Sequence, residues 1–164
     1  MQRSLVALAL ALPMVSIVGA IVHSELRRAQ AEDWTFTTRG YDPRDLFYGH
    51  YVRFNIDFRE SAPRLTCTNH QPDCCLCLSG KPGPDIPHTR RMSCDEARSS
   101  CDGVLQTRFI ERLDRYYVPE GRARELDERV RQASRDGNLR AVLSIDPTGY
   151  AEVNELRIGG KRVE

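Results

Sequence analysis

From Leu5 to Val22 the chain carries no charged residue. That run is close to the roughly 20 apolar residues a helix needs to cross a bilayer core. The polar stretch Glu25 to Asp33 follows and reads as a helical juxtamembrane linker. Residues 34–39, WTFTTR, then alternate aromatic and β-branched positions as a strand does. Asp42-Pro43-Arg44-Asp45 has the chemistry of a type I turn, Asp first and Pro second. Beyond it Val52, Phe54, Ile56 and Phe58 point one way, and Tyr51, Arg53, Asn55 and Asp57 the other. This is the period-two pattern of a strand with one buried face. Gly49, just before it, marks a bulge or a close backbone approach.

Residues 59–104 hold all six cysteines, five of the prolines and no sustained periodicity, and are expected to form a loop excursion stapled by its own chemistry. A strand-like stretch leads through Phe109 and Leu113. Pro119 then suits the first turn of a helix, and Ala123, Leu126, Val130 and Ala133 follow at helical spacing until Asp136-Gly137-Asn138. Glu125 with Arg129 and Asp127 with Arg131 are i,i+4 pairs, so this charge run is a solvated face. The last segment is two strands joined by the turn Asp146-Pro147-Thr148-Gly149. The predicted fold class is α+β: an N-terminal transmembrane helix, then a small β-rich domain with one exposed helix and a disulfide-stapled loop. The expected division is an anchor over 1–24, a linker over 25–33 and the domain over 34–164.

Composition changes the picture in two places. The 164 residues balance 24 basic against 23 acidic side chains, so no global field points to nucleic acid, and none is expected as a partner. Mean hydropathy is −0.50 despite the apolar start, so the remainder is polar for its size. The six cysteines favour an oxidising compartment. A cleaved signal peptide would offer Ala29-Gln30-Ala31, but that site lies beyond Arg27 and Arg28, and Val18-Gly19-Ala20 sits inside the apolar run. The uncleaved anchor is therefore the reading adopted over a signal peptide or a buried core helix. Arg3 before the run and Arg27 and Arg28 after it leave orientation undecided by charge. The cysteines place the domain in the periplasm, on a single-pass protein of the inner membrane.

An anchor, then DPRDLFYGHYVRF, then RYYVPEGRARELDERV, then a closing VLSID…ELRIGGKRV resembles the bacterial membrane-anchored GDYXXLXY family. The specific blocks are Asp42-Pro43-Arg44-Asp45-Leu46 and Tyr116-Tyr117-Val118-Pro119-Glu120. In the signature stretch Gly49 to Ile56, His50 stands where the family has aspartate, Phe54 where it has leucine and Ile56 where it has the final tyrosine. The resemblance implies no established activity. It implies pairing with a polytopic membrane protein of unknown function.

An enzyme reading would use Asp42, Asp45 and Glu120 as acid and base with His50 assisting. Arg44 between the aspartates would keep both ionised, the wrong state for a general acid, and Asp at turn positions ordinarily bonds its own backbone. There is no nucleophile elbow, phosphate loop or zinc-protease helix, and Lys occurs only at 81 and 161. No catalytic residue and no cofactor are assigned. Tyr48, Tyr51, Tyr116 and Tyr117 beside Arg44, Arg53 and Arg115 could form a stacking platform for sugar or nucleic acid. The plainer reading is half-buried strand residues, and a partner-docking surface lies between the two. The binding candidates are Asp42, Arg44, Asp45, Tyr51, Arg53, Tyr116, Tyr117 and Glu120.

Cys67, Cys74, Cys75, Cys77, Cys94 and Cys101 admit zinc or disulfides. Cys74 and Cys77 make one half of a zinc site, but nothing matches it at Cys94 and Cys101, and His70 or His88 would have to be chosen freely. Disulfides are the reading adopted, with no metal. Neighbouring Cys74 and Cys75 are expected to bond elsewhere rather than to each other, among 15 connectivities. The function expected is a membrane-anchored extracytoplasmic accessory module, bound to the lipid bilayer and to a polytopic partner. The alternative is a redox or metal-handling domain built on the cysteine loop.

Overall fold

The computed structural model describes residues 2–39, 51–58, 67, 71, 73–117 and 123–163. They fall into two units, Met1–Ala31 and Glu32–Glu164. The first is a helix, α1 (Gln2–Ala29), rich in Leu and Ala, with Arg27 and Arg28 in its last turn complementing the carbonyl end. It takes in part of the predicted linker. Among the described residues no helix is long and apolar enough to cross a membrane.

The second unit is β-rich, as expected. Strand β1 (Glu32–Arg39) pairs antiparallel with β8 (Leu139–Ile145), setting Trp34 opposite Leu143 and Phe36 opposite Ala141. Strand β9 (Ala151–Ile158) adds to β8, and the short β10 (Lys161–Arg162) adds to β9. On the other edge of β1 lies β3 (Asn55–Asp57), with Ile56 opposite Thr38. The order β10-β9-β8-β1-β3 makes one five-stranded sheet. The expected β8–β9 hairpin closes at Asp146, whose carboxylate accepts from the Thr148 and Tyr150 N–H groups at 2.8 and 3.1 Å.

Of the alternation expected from Tyr51 to Phe58, Phe54 is buried and Asn55 exposed, whereas Ile56, Asp57 and Phe58 are all half-buried. The strand itself is divided, contrary to the single strand expected. β2 (Tyr51–Arg53) pairs with β7 (Arg115–Tyr117), while β3 joins β1. Phe54 stands between them and donates its N–H to the Asp114 carbonyl at 3.0 Å. One run thus feeds two sheets, because its neighbour changes at Phe54.

The cysteine excursion is stapled as expected, but the part from Cys74 onward also carries regular structure. β4 (Cys74–Ser79) is central in a three-stranded sheet, order β5-β4-β6, with β5 (His88–Ser93) and β6 (Gly103–Gln106). Between β5 and β6 lies α2 (Cys94–Ser100), capped by the Ser93 hydroxyl accepting from the Glu96 N–H. The stretch read as a strand through Phe109 and Leu113 is instead a 3-10 helix, Thr107–Arg112. At its start the Thr107 hydroxyl donates to the Cys74 carbonyl at 2.9 Å, which turns the chain out of the ladder.

Among the described residues the core has three parts. Trp34, Phe36, Leu143 and Ile145 of the larger sheet meet Leu76, Leu78 and Leu105 of the smaller one. Leu126, Val130 and Ala133 of α3 (Ala123–Arg135) pack with Leu139, Ala141, Leu156 and Phe54, as the helical spacing predicts. The third part is Cys75, Cys77, Met92, Cys94 and Ala97. Helix α3 ends at Gly137, φ +67°, where the Asn138 N–H reaches the Ala133 carbonyl and the Gly137 N–H reaches Ser134. Glu125 pairs with Arg129 at 3.7 Å. Arg131 pairs with Glu128, and the Asp127 side chain lies outside the described residues.

Candidate functional site

Three disulfides join Cys67 to Cys74, Cys75 to Cys94, and Cys77 to Cys101. No free cysteine remains. Cys74 and Cys75 part company as expected, because successive strand residues face opposite ways. Cys75 and Cys77, on one face of β4, are tied to the two ends of α2, at Cys94 and just past it at Cys101. Leu76 and Leu78 on the other face enter the main core. With both faces buried, the cystines hold α2 on the sheet in place of a larger apolar layer.

Of the binding candidates, Asp42, Arg44, Asp45 and Glu120 lie outside the described residues, as do Tyr48, Gly49, His50 and Pro119. For Tyr51, Arg53 and Tyr117 the described part is the backbone. The β2–β7 register brings Tyr51 opposite Tyr117, Val52 opposite Tyr116 and Arg53 opposite Arg115, so segments more than 60 residues apart meet as a Tyr/Arg ribbon. Of this set Tyr116 is fully described: half-buried, packed against the α3 side of the core and exposing its other side to a groove.

That groove, about 330 Å³, lies between the 3-10 helix, β7 and the start of β9. Its lining includes Phe109, Arg112, Arg115, Tyr116, Tyr150 and Glu152. Phe109 meets Tyr150 edge to face at 4.9 Å, and the Arg108 guanidinium stands 4.8 Å over the Phe109 ring. The Tyr150 hydroxyl donates to Glu152 at 2.8 Å. Arg115 lies 3.4 Å from the Asp114 carboxylate. These aromatic and arginine side chains suit binding by stacking and charge.

The sequence reading found Tyr116 and Arg115 and missed Phe109, Arg112, Tyr150 and Glu152. The signal that could have found the first two was a period of three in Phe109, Arg112 and Arg115, which the strand reading hid.

The signature positions have a structural account. Phe54, where the family has leucine, is 2% exposed in the core, so any large apolar side chain serves there. Ile56, where the family has tyrosine, is half-buried between two core clusters. No curated protein and no solved structure matches the chain. A family model described as GDYXXLXY protein matches residues 13–156, from α1 into β9. The chain belongs to the GDYXXLXY family.

Proposed function

We propose that the protein is a membrane-anchored accessory module whose β-rich domain sits on the extracytoplasmic side and works with a polytopic membrane protein. The observation that carries this reading is α1. Leu12, Met14, Val15, Ile17, Val18, Ile21 and Val22 are each more than half exposed, and the uncharged run they belong to begins at Leu5. Apolar side chains displayed around a helix to that extent call for lipid or a partner helix. Three cystines in the second unit suit an oxidising compartment, which the periplasm beside an inner membrane supplies. The polytopic partner rests on family resemblance alone.

The test is affinity purification from solubilised membranes followed by mass spectrometry, with carbonate washing of the membranes beforehand. Retention after the wash and one recurrent polytopic partner are expected. Release by carbonate, or a mature N-terminus near Glu32, would remove the anchor from this reading.

The redox alternative has one supporting observation, the cystine cluster around Met92, with the Cys101 sulfur 3.8 Å from the Met92 sulfur. A zinc role would need thiolates, and all six cysteine sulfurs are bonded to one another.

A further inference from the structure

In a 3-10 helix, side chains three residues apart stack in a row. In Arg108-Phe109-Ile110-Glu111-Arg112-Leu113-Asp114-Arg115, which runs from the 3-10 helix into the start of β7, the charges are sorted to two sides. Phe109, Arg112 and Arg115 line the groove described above, whereas Glu111 and Asp114 line a separate cleft of about 430 Å³ beside Phe54 and Phe58. Leu113 borders both. Arg115 is already paired with the Asp114 carboxylate at 3.4 Å, so the groove gathers the Arg112 guanidinium on its wall and Arg108 above Phe109 against one further carboxylate. That carboxylate, Glu152, already accepts the Tyr150 hydroxyl. Arg112 is exposed and has no ion-pair partner among the described residues.

We propose that this groove docks an extended peptide segment carrying a carboxylate side chain next to an aromatic or large apolar one. The deduction rests on the interaction-module reading and names the surface and the chemistry through which that module meets its partner. The apolar side chain lies among Phe109, Tyr116 and Tyr150, removing their exposed faces from water. The carboxylate meets Arg112, whose planar fork takes two oxygens at once. An acidic ligand is favoured because Arg112 and Arg108 stand beside the groove without a carboxylate of their own among the described residues, while Asp114 is taken by Arg115 and Glu111 lines the other cleft.

The experiment uses the full chain in non-ionic detergent and two fluorescein-labelled peptides, Gly-Asp-Phe-Asp-Gly and its counterpart with Asn for Asp, read by anisotropy. The aspartate peptide should bind about tenfold tighter than the asparagine one at low salt, with the gap closing as salt rises. R112E should weaken the aspartate peptide about tenfold or more and R112K by less, with E111Q, in the other cleft, leaving it unchanged. Equal binding of the two peptides, an unaffected R112E, or no binding at millimolar peptide overturns the proposal. So does loss, in R112E only, of binding to phosphatidylglycerol vesicles by a protein that ignores both peptides, which would assign the groove to lipid. Membrane retention is read separately: an anchored protein that fails the peptide test loses the groove and keeps the anchor, and the reverse result does the opposite.

Discussion

Gly103 lies so close to the indole of Trp34 that a Cβ added to Gly103 would stand 2.7 Å from Cζ2 and 3.0 Å from Cε2. Trp34 belongs to the five-stranded sheet and Gly103 to the three-stranded one, so this contact sets how near the two sheets approach. The indole is 1% exposed and has no room to retreat. Gly103→Ala should therefore destabilise the domain by about 1–3 kcal/mol, through overpacking rather than backbone conformation. Denaturant titration of the oxidised protein checks this, and an unchanged midpoint would refute the contact.

Phe54 tests whether the family signature marks packing or chemistry. Phe54→Ala removes a side chain at the junction of α3 with the sheet and should cost about 3–5 kcal/mol. Phe54→Leu, which restores the family's residue, should cost less than about 1.5 kcal/mol. Equal losses in the two variants would argue that the aromatic ring has a role beyond filling the core.

The disulfide pattern predicts its own order of importance. Cys77–Cys101 closes a separation of 24 residues and Cys67–Cys74 one of 7. Replacing both cysteines of the first pair with serine should cost about 3–4 kcal/mol, and of the second about 2–3, since the larger loop constrains the unfolded chain more. Non-reducing peptide mapping of exported protein should recover Cys67–Cys74, Cys75–Cys94 and Cys77–Cys101 with no free thiol. A different pairing, or stoichiometric zinc on reduced protein, would end this account.

Asp146 is 6% exposed, and its carboxylate is held by N–H groups of its own turn. The same turn is docked on β6, where the Gln106 backbone N–H donates to the Gly149 carbonyl at 2.9 Å and its side-chain amide donates to the Thr148 carbonyl at 2.5 Å. Asp146→Ala leaves those N–H groups without their acceptor and should cost about 1–3 kcal/mol. Gln106→Ala keeps the turn but loosens its dock, so hydrogen exchange should rise over 146–150 while β8 stays protected. Protection unchanged in that variant would show that the side chain does not hold the turn.

The sequence by itself determined what depends on local pattern. Leu126, Val130 and Ala133 recur at helical spacing and end at a glycine able to take positive φ, so α3 and its stop were legible. Alternating side chains and an Asp-Pro-Thr-Gly turn specified the β8–β9 hairpin, and six cysteines without matched zinc halves specified disulfides. The tertiary structure alone decided what depends on who lies opposite. In Cys74-Cys75-Leu76-Cys77-Leu78 every residue is buried, Cys75 and Cys77 on one face and Cys74, Leu76 and Leu78 on the other, so no polar position broke the run into a readable strand. The division of 51–57 between two sheets arises because β1, the preceding strand, takes one half of it and the distant β7 takes the other. The groove has the same origin. Phe109, Arg112 and Tyr116 are close in sequence, but Tyr150 and Glu152 reach them only because the hairpin turn is tied to β6. Pairing partners, cystine connectivity and concave surfaces are properties of contacts between distant segments, and periodicity along one segment carries no record of them.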